Sequence, residues 1–210
     1  MEGLWEELET QLRIHAPGLL CRLRPGVVEP ALRAFEIEFG QALPDDIRRA
    51  YLRHDGCDLT SDEEIGLFGR FNWIPLTQLR DAWLQSLNDH DFSDPYFYED
   101  DQWSGLPIRP WSSAPPAWIR LAAGLGFAGS VYVDLLPGPT GRSGQLIGED
   151  IHGMSKCVVA SSLTEYLNHL SSALESGTVC VFTNPDTQQQ DWCCKDGSPF
   201  TAPGFAKVFG

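Results

Sequence analysis

The sequence contains no run of apolar residues near the roughly 20 that cross a bilayer as a helix. It is also poor in cations. Fifteen Lys and Arg stand against 29 Asp and Glu, a formal net charge of −14. Nucleic acids and anionic membrane surfaces both select basic surfaces. Neither is therefore expected as a direct partner, whereas a basic protein is. The first residues, MEGLWEELETQLRIH, lack the basic segment and apolar stretch of a secretory signal. The expected location is cytoplasmic.

Motifs for chemistry are missing as well. The six cysteines form no C-x-x-C pair, and His15, His54, His90, His152 and His169 are scattered without metal-ligand spacing. No metal or other cofactor is expected, and in a reducing compartment all six thiols should be free. There is no G-x-S-x-G elbow. The stretch AGLGFAGS lacks phosphate-loop spacing and runs into a strand-like segment instead of a helix. No internal repeat is visible. No catalytic residue is assigned, and the chain is expected not to be an enzyme.

What is present is one globular domain. The 210 residues are 42% hydrophobic and 21% charged, the balance of a folded chain with a real core. Leu4, Trp5, Leu8 and Leu12 recur at helical spacing, up to a stop at Pro17 and Gly18. A second helix starts at about Glu29, carries Leu32, Phe35 and Phe39 on one stripe, and ends at Gly40. The third is LPDDIRRAYLRHDG. Pro44 suits the first helical position, Asp45 and Asp46 suit the positive end of the dipole, and Gly56 suits a left-handed stop. His54 and Asp55 adjoin, and on a helix they would point about 100° apart, poor geometry for an acid–base pair.

IGLFGRFNWIPL has strand composition, and Thr77 then caps a helix bearing Leu79, Trp83 and Leu87. AWIRLA, GSVYVDLLP, RSGQLIGED and SKCVVAS follow as strands. Ser162 and Glu165 make a capping box for a helix with Leu163, Tyr166, Leu167 and Leu170 on its stripe and Gly177 at its end. TVCVFT is a further strand. This order predicts an α+β fold with a mainly antiparallel sheet flanked by N-terminal and C-terminal helices. The domain is placed at 1–183, with 184–210 as a Gly/Pro-rich tail.

Between the two halves lies a polar stretch, 88–116, too long for an ordinary connection. Its segment DHDFSDPYFYEDDQWSG places six carboxylates in the thirteen residues from Asp89 to Asp101, interleaved with aromatics, and no Lys or Arg occurs between Arg80 and Arg109. Carboxylates steer a basic partner, and Tyr and Trp supply binding area. Asp89, Asp91, Asp94, Tyr96, Tyr98, Glu99, Asp100, Asp101 and Trp103 are therefore the candidate partner-binding residues. The competing reading is a solvated loop whose aromatics dip into the core.

Taken in order, these segments resemble the SMI1/KNR4 family, also called the SUKH superfamily. LPDDIRRAYLRHDG is similar to its LP-D-hydrophobic-Y element, and FNWIPLTQL to its strand-to-helix segment. PPAWIRLAAGLGFAGSVYVDLLPGPTGRSGQLIGED resembles its most specific stretch, and VVASSLTEYLNHL its closing strand and helix. The resemblance covers roughly 1–176; the acidic loop, the tail and Arg120 depart from it. It implies a sheet flanked by helices and no enzymatic chemistry, with Trp73, Trp118, Asp134 and Gly144 as structural motif residues. Trp118 should be buried, and Asp134 should accept N–H groups of the turn that follows. Bacterial members resemble immunity proteins that neutralise toxin domains, often basic nucleases. Fungal members resemble scaffolds of cell-wall assembly. A third reading is a small-molecule-binding or enzymatic domain with a groove near Asp134.

Overall fold

The computed structural model describes residues 2–58, 65–89, 107–108, 118–124, 129–149, 156–186 and 190–196, with backbone alone at 85–89, 149 and 156. Helix α1 (Glu2–His15) buries Trp5, Leu8 and Leu12 on one stripe. Pro17 does not end the helical region. It opens a second short helix, α2 (Pro17–Arg22), because a proline in the first turn has no N–H to leave unpaired. Strand β1 (Leu23–Pro25) follows. Helix α3 (Glu29–Phe39) buries Leu32, Phe35 and Phe39, and Gly40 ends it with φ +82°. Helix α4 (Asp45–Arg53) buries Ile47, Ala50 and Tyr51, with Pro44 one residue before it.

The remaining elements are β2 (His54–Cys57), β3 (Asn72–Trp73), α5 (Leu76–Asp89), β4 (Trp118–Ala123), β5 (Ser130–Asp134), β6 (Gln145–Glu149), β7 (Lys156–Ala160), α6 (Leu163–Glu175), β8 (Val179–Thr183) and β9 (Gln190–Cys194). Strands β3 to β7 form one sheet in sequence order, every pairing antiparallel, while β1 with β2 and β8 with β9 make two small ribbons. The fold is α+β, as the segment order implied.

Alternation along the strands gives the main sheet two faces. The inner face offers Ile119, Val131, Val133, Leu146 and Val159 to the large core shared with the helices. There Trp5 stacks on Trp73 with centroids 5.8 Å apart, and the Tyr51 hydroxyl donates to the Ile74 carbonyl at 2.8 Å. The outer face carries a second, smaller cluster of Trp118, Tyr132 and Ile147, which Ile108 joins from the segment preceding β4.

Several local expectations are corrected. Gly56 is not a helix stop. Helix α4 ends at Arg53, and Gly56 lies in β2 with φ +70°, where a Cβ would come within 2.6–2.8 Å of the backbone at Trp73, Ile74 and Pro75. Of IGLFGRFNWIPL, only Asn72–Trp73 is a named strand, the rest being short bridges between Gly66 and Gly69 and between Phe68 and Phe71. The boundary placed at 183/184 falls inside a hairpin, since Gln190–Cys194 pairs with Val179–Thr183 and buries Trp192 in the core.

Candidate functional site

The polar cluster at the end of α4 has structural work on every side. In a strand, neighbouring side chains point to opposite faces, so His54 and Asp55 turn away from each other. His54 Nε2 lies 2.9 Å from Glu9 Oε1, and its Nδ1 lies 3.1 Å from the Arg24 carbonyl. Arg53 donates to both oxygens of Glu9 at 2.7 and 2.8 Å. This hydrogen-bonded pairing, aided by His54, holds the Glu9 carboxyl below its ordinary range against the opposing effect of burial. Asp55 accepts the Leu76 N–H at 2.7 Å and so caps α5, the role that sequence assigned to Thr77. Burial pushes the Asp55 pKa up, opposed by that N–H and by Arg24.

Asp46 reaches across the fold. Its Oδ2 accepts the Thr164 N–H in the first turn of α6 at 3.1 Å, and its Oδ1 accepts the Ile47 N–H. The capping box of α6 is present with a shifted reach: Ser162 Oγ accepts the Glu165 N–H, and Glu165 accepts the N–H of Ser161.

A second node lies at the hairpin joining β5 and β6. Asp134 is fully buried, its Oδ1 accepting the Leu136 N–H at 3.0 Å and its Oδ2 the Gln145 side-chain amide at 2.9 Å. The same Gln145 nitrogen donates to the Pro107 carbonyl at 2.8 Å, and Gln145 Oε1 accepts the Arg142 N–H at 3.0 Å. The Gly138 N–H also donates to the Pro107 carbonyl, at 2.9 Å. Gly144, with φ +88°, donates to the Asp134 carbonyl at 2.7 Å and faces Pro44 closely enough that a Cβ would meet its ring at 3.4 Å. The turn therefore abuts the start of the LPDD element. Trp118 is 4% exposed and sits opposite Asp134 in the β4–β5 ladder. Trp73 is buried between Trp5 and Tyr51. Arg120, exposed on the outer face, lies over the Tyr132 ring at 5.9 Å, so the departure from the family pattern makes a cation–π contact there.

The candidate partner-binding residues Asp91, Asp94, Tyr96, Tyr98, Glu99, Asp100, Asp101 and Trp103 lie outside the described residues, and Asp89 is described only as the last backbone position of α5. What is described is where the chain comes back from this stretch: Pro107 is bonded to the Asp134 node, and Ile108 is packed in the outer cluster.

The charge has a pattern that composition alone does not reveal. Arg24, Arg33, Arg48, Arg53, Arg70 and Arg80 each pair with a carboxylate of this chain. Arg48 bridges Glu29 and Glu36 at 2.8 Å each. Glu2, Glu6, Glu7, Asp45, Glu175 and Asp186 are exposed and make no ion pair among the described residues, and the same holds for Arg13, Arg49, Arg142 and Lys195. The acidic face of α1 is readable from MEGLWEELET, where the carboxylates are less dense than in the loop. Among the described residues no group of three or more His, Cys, Asp or Glu is placed to hold a metal ion, and no helix is long and apolar enough to cross a membrane.

Together these features define an α+β domain with one covered antiparallel sheet and two hydrogen-bonded anchor nodes. The chain belongs to the SMI1 / KNR4 family (SUKH-1), whose model matches residues 26–169. It is similar to KNR4/SMI1 homolog 2 of Debaryomyces hansenii, at 28% identity over 94% of this chain and 39% of that protein. It is also similar to the glucan synthesis regulatory protein of Neurospora crassa, at 24% identity over 88% of this chain and 40% of that protein. The chain thus spans about two fifths of the length of these relatives.

Proposed function

We propose that this chain is a non-enzymatic protein-binding domain that occupies a basic surface of another protein. The carrying observation is electrostatic: at a net charge of −14, six of its arginines are already spent on its own carboxylates. Such pairs cancel charge one for one and leave the excess of 14 unchanged, and an excess of that size accelerates encounter with a positively charged partner. The 89–103 stretch is the densest part of that excess, and its return at Pro107 is bonded to the Asp134 node. Asp134 itself is buried with both oxygens bonded, which favours an anchoring role over a reactive one.

Within this reading the partner is a toxin domain, and the chain is an immunity protein that blocks it by direct binding. A toxin that grips phosphates must be basic, which suits the charge. The test is genetic. The product of a gene adjacent to that of this chain should arrest growth when expressed alone, and coexpression of this chain should restore growth. Adjacent genes with no toxic product would remove the immunity reading. A second reading, regulation of cell-wall assembly, is favoured by the relative named a glucan synthesis regulatory protein. It predicts that the protein bound belongs to the glucan-synthesis machinery.

A further inference from the structure

Cys180 on β8 and Cys193 on β9 are Cα partners in the antiparallel ladder. Their sulfurs lie 2.8 Å apart, and both thiols are free. Directly opposed residues in such a ladder have Cα atoms about 4.5–5.5 Å apart. A disulfide accepts Cα separations of about 4.4–6.8 Å. The register alone thus brings the pair into bonding range without backbone movement. Val179, Val181, Trp192 and Cys194 pack on the core side of this ribbon. Cys180 and Cys193 alternate onto the other side, beside Phe182, which is 51% exposed. A dissolved oxidant reaches that side.

We propose that Cys180 and Cys193 form a reversible disulfide, reduced at rest and closed by a low-molecular-weight disulfide such as oxidised glutathione. The Cys180 thiolate attacks one sulfur of the glutathione disulfide, whose S–S bond breaks, and one glutathione leaves as its thiolate. Cys193 then gives up its proton and attacks the Cys180 sulfur, expelling the second glutathione. Two protein thiols are oxidised to one disulfide, one glutathione disulfide is reduced to two thiols, and the two protons released pass to the departing thiolates. Burial and the adjacent Cys180 sulfur push the Cys193 thiol up to about 12, so Cys193 is not the first nucleophile. Once Cys180 is held in the mixed disulfide, its thiol no longer opposes ionisation of Cys193.

The bond would secure a contact between distant parts of the chain. Trp192 Nε1 donates to the Gly66 carbonyl at 2.8 Å, and Asp191 pairs with Arg70. Both contacts fasten β9 to the segment leading into β3. A link between β8 and β9 restricts the opened hairpin, so the ribbon opens less often. It lies beyond residue 169, where the family match ends.

The test equilibrates reduced protein with glutathione buffers of rising oxidised fraction, quenches with acid, alkylates, and maps the peptides. All six thiols should be labelled in the reduced protein and four in the oxidised one, with a single Cys180–Cys193 cross-linked peptide and full recovery after dithiothreitol. Cys193→Ser should stop at one glutathione on Cys180. Amide exchange in β8 and β9 should slow several-fold on oxidation of the native sequence. Six labelled thiols at the highest oxidised fraction, or a cross-link that uses Cys194, would overturn the proposal. Unchanged exchange would overturn its claimed effect on the ribbon.

Discussion

Replacing Asp134 with Ala should destabilise the protein by about 3–5 kcal/mol, on the scale of hydrogen bonds to a charged group plus the cost of stranding their partners. The figure follows from the bonds lost. Leu136 N–H and one hydrogen of the Gln145 amide both end on this carboxylate, in a site where Asp134 is 0% and Gln145 2% exposed. Water does not reach the Gln145 amide to replace the oxygen. Asp134→Asn separates shape from chemistry. Its oxygen can still accept from Leu136, but its NH₂ then meets the Gln145 NH₂, donor against donor. Rotating the Gln145 amide would relieve that clash only by giving up both the Pro107 and the Arg142 bonds. Asn should therefore cost about 1–3 kcal/mol. Urea unfolding gives both values, and amide exchange should localise the loosening to 135–145. A fully folded Asp134→Ala protein within about 0.5 kcal/mol of the parent would refute the anchoring role, because that is the range of an uninvolved surface site.

Other positions carry further expectations. Trp118→Ala should cost about 3–5 kcal/mol, as for a buried aromatic, measured by thermal or urea unfolding. Gly56→Ala should cost about 2–4 kcal/mol, because the left-handed φ and the backbone at Trp73 to Pro75 both oppose a Cβ; a neutral result would mean that β2 is placed differently. Glu9 has a folded-state pKa below its ordinary 4.5, chiefly through its hydrogen bonds from Arg53. Its contribution is therefore present above the unfolded value and lost as pH falls through the folded one. Glu9→Gln should flatten the acid side of the stability profile below about pH 5, and an unchanged profile would show that the pair contributes nothing there.

Much of the fold was legible because its signals are local. Gly40 after Phe39, and Ser162 three residues before Glu165, mark helix ends whose partners lie within one turn. GSVYVDLLP was legible as a strand from its β-branched and aromatic residues. What escaped the sequence depends on distance. Asp55 was unreadable as a cap because the N–H it accepts lies 21 residues later. Trp192 was assigned to a tail because its bond to Gly66 spans 126 residues. Strands β1 and β2 have three and four residues, too few for any periodicity. Asp134 could be singled out from its position before a turn, while its link through Gln145 to Pro107 needed the folded chain.

The measurement that bears most directly on the acidic-partner account is affinity capture from an extract of the native cells. The bait is the intact chain, compared with one in which Asp89, Asp91, Asp94, Asp100 and Asp101 become Asn and Glu99 becomes Gln. These changes keep size and remove charge, and stability should stay within about 0.5 kcal/mol. The account predicts that the parent retains a basic protein at low salt and releases it near 1 M, where the Debye length falls from about 10 Å at 0.1 M to about 3 Å. It also predicts that the substituted chain fails to retain that protein. Retention of the same protein by both chains, undiminished at high salt, would contradict it.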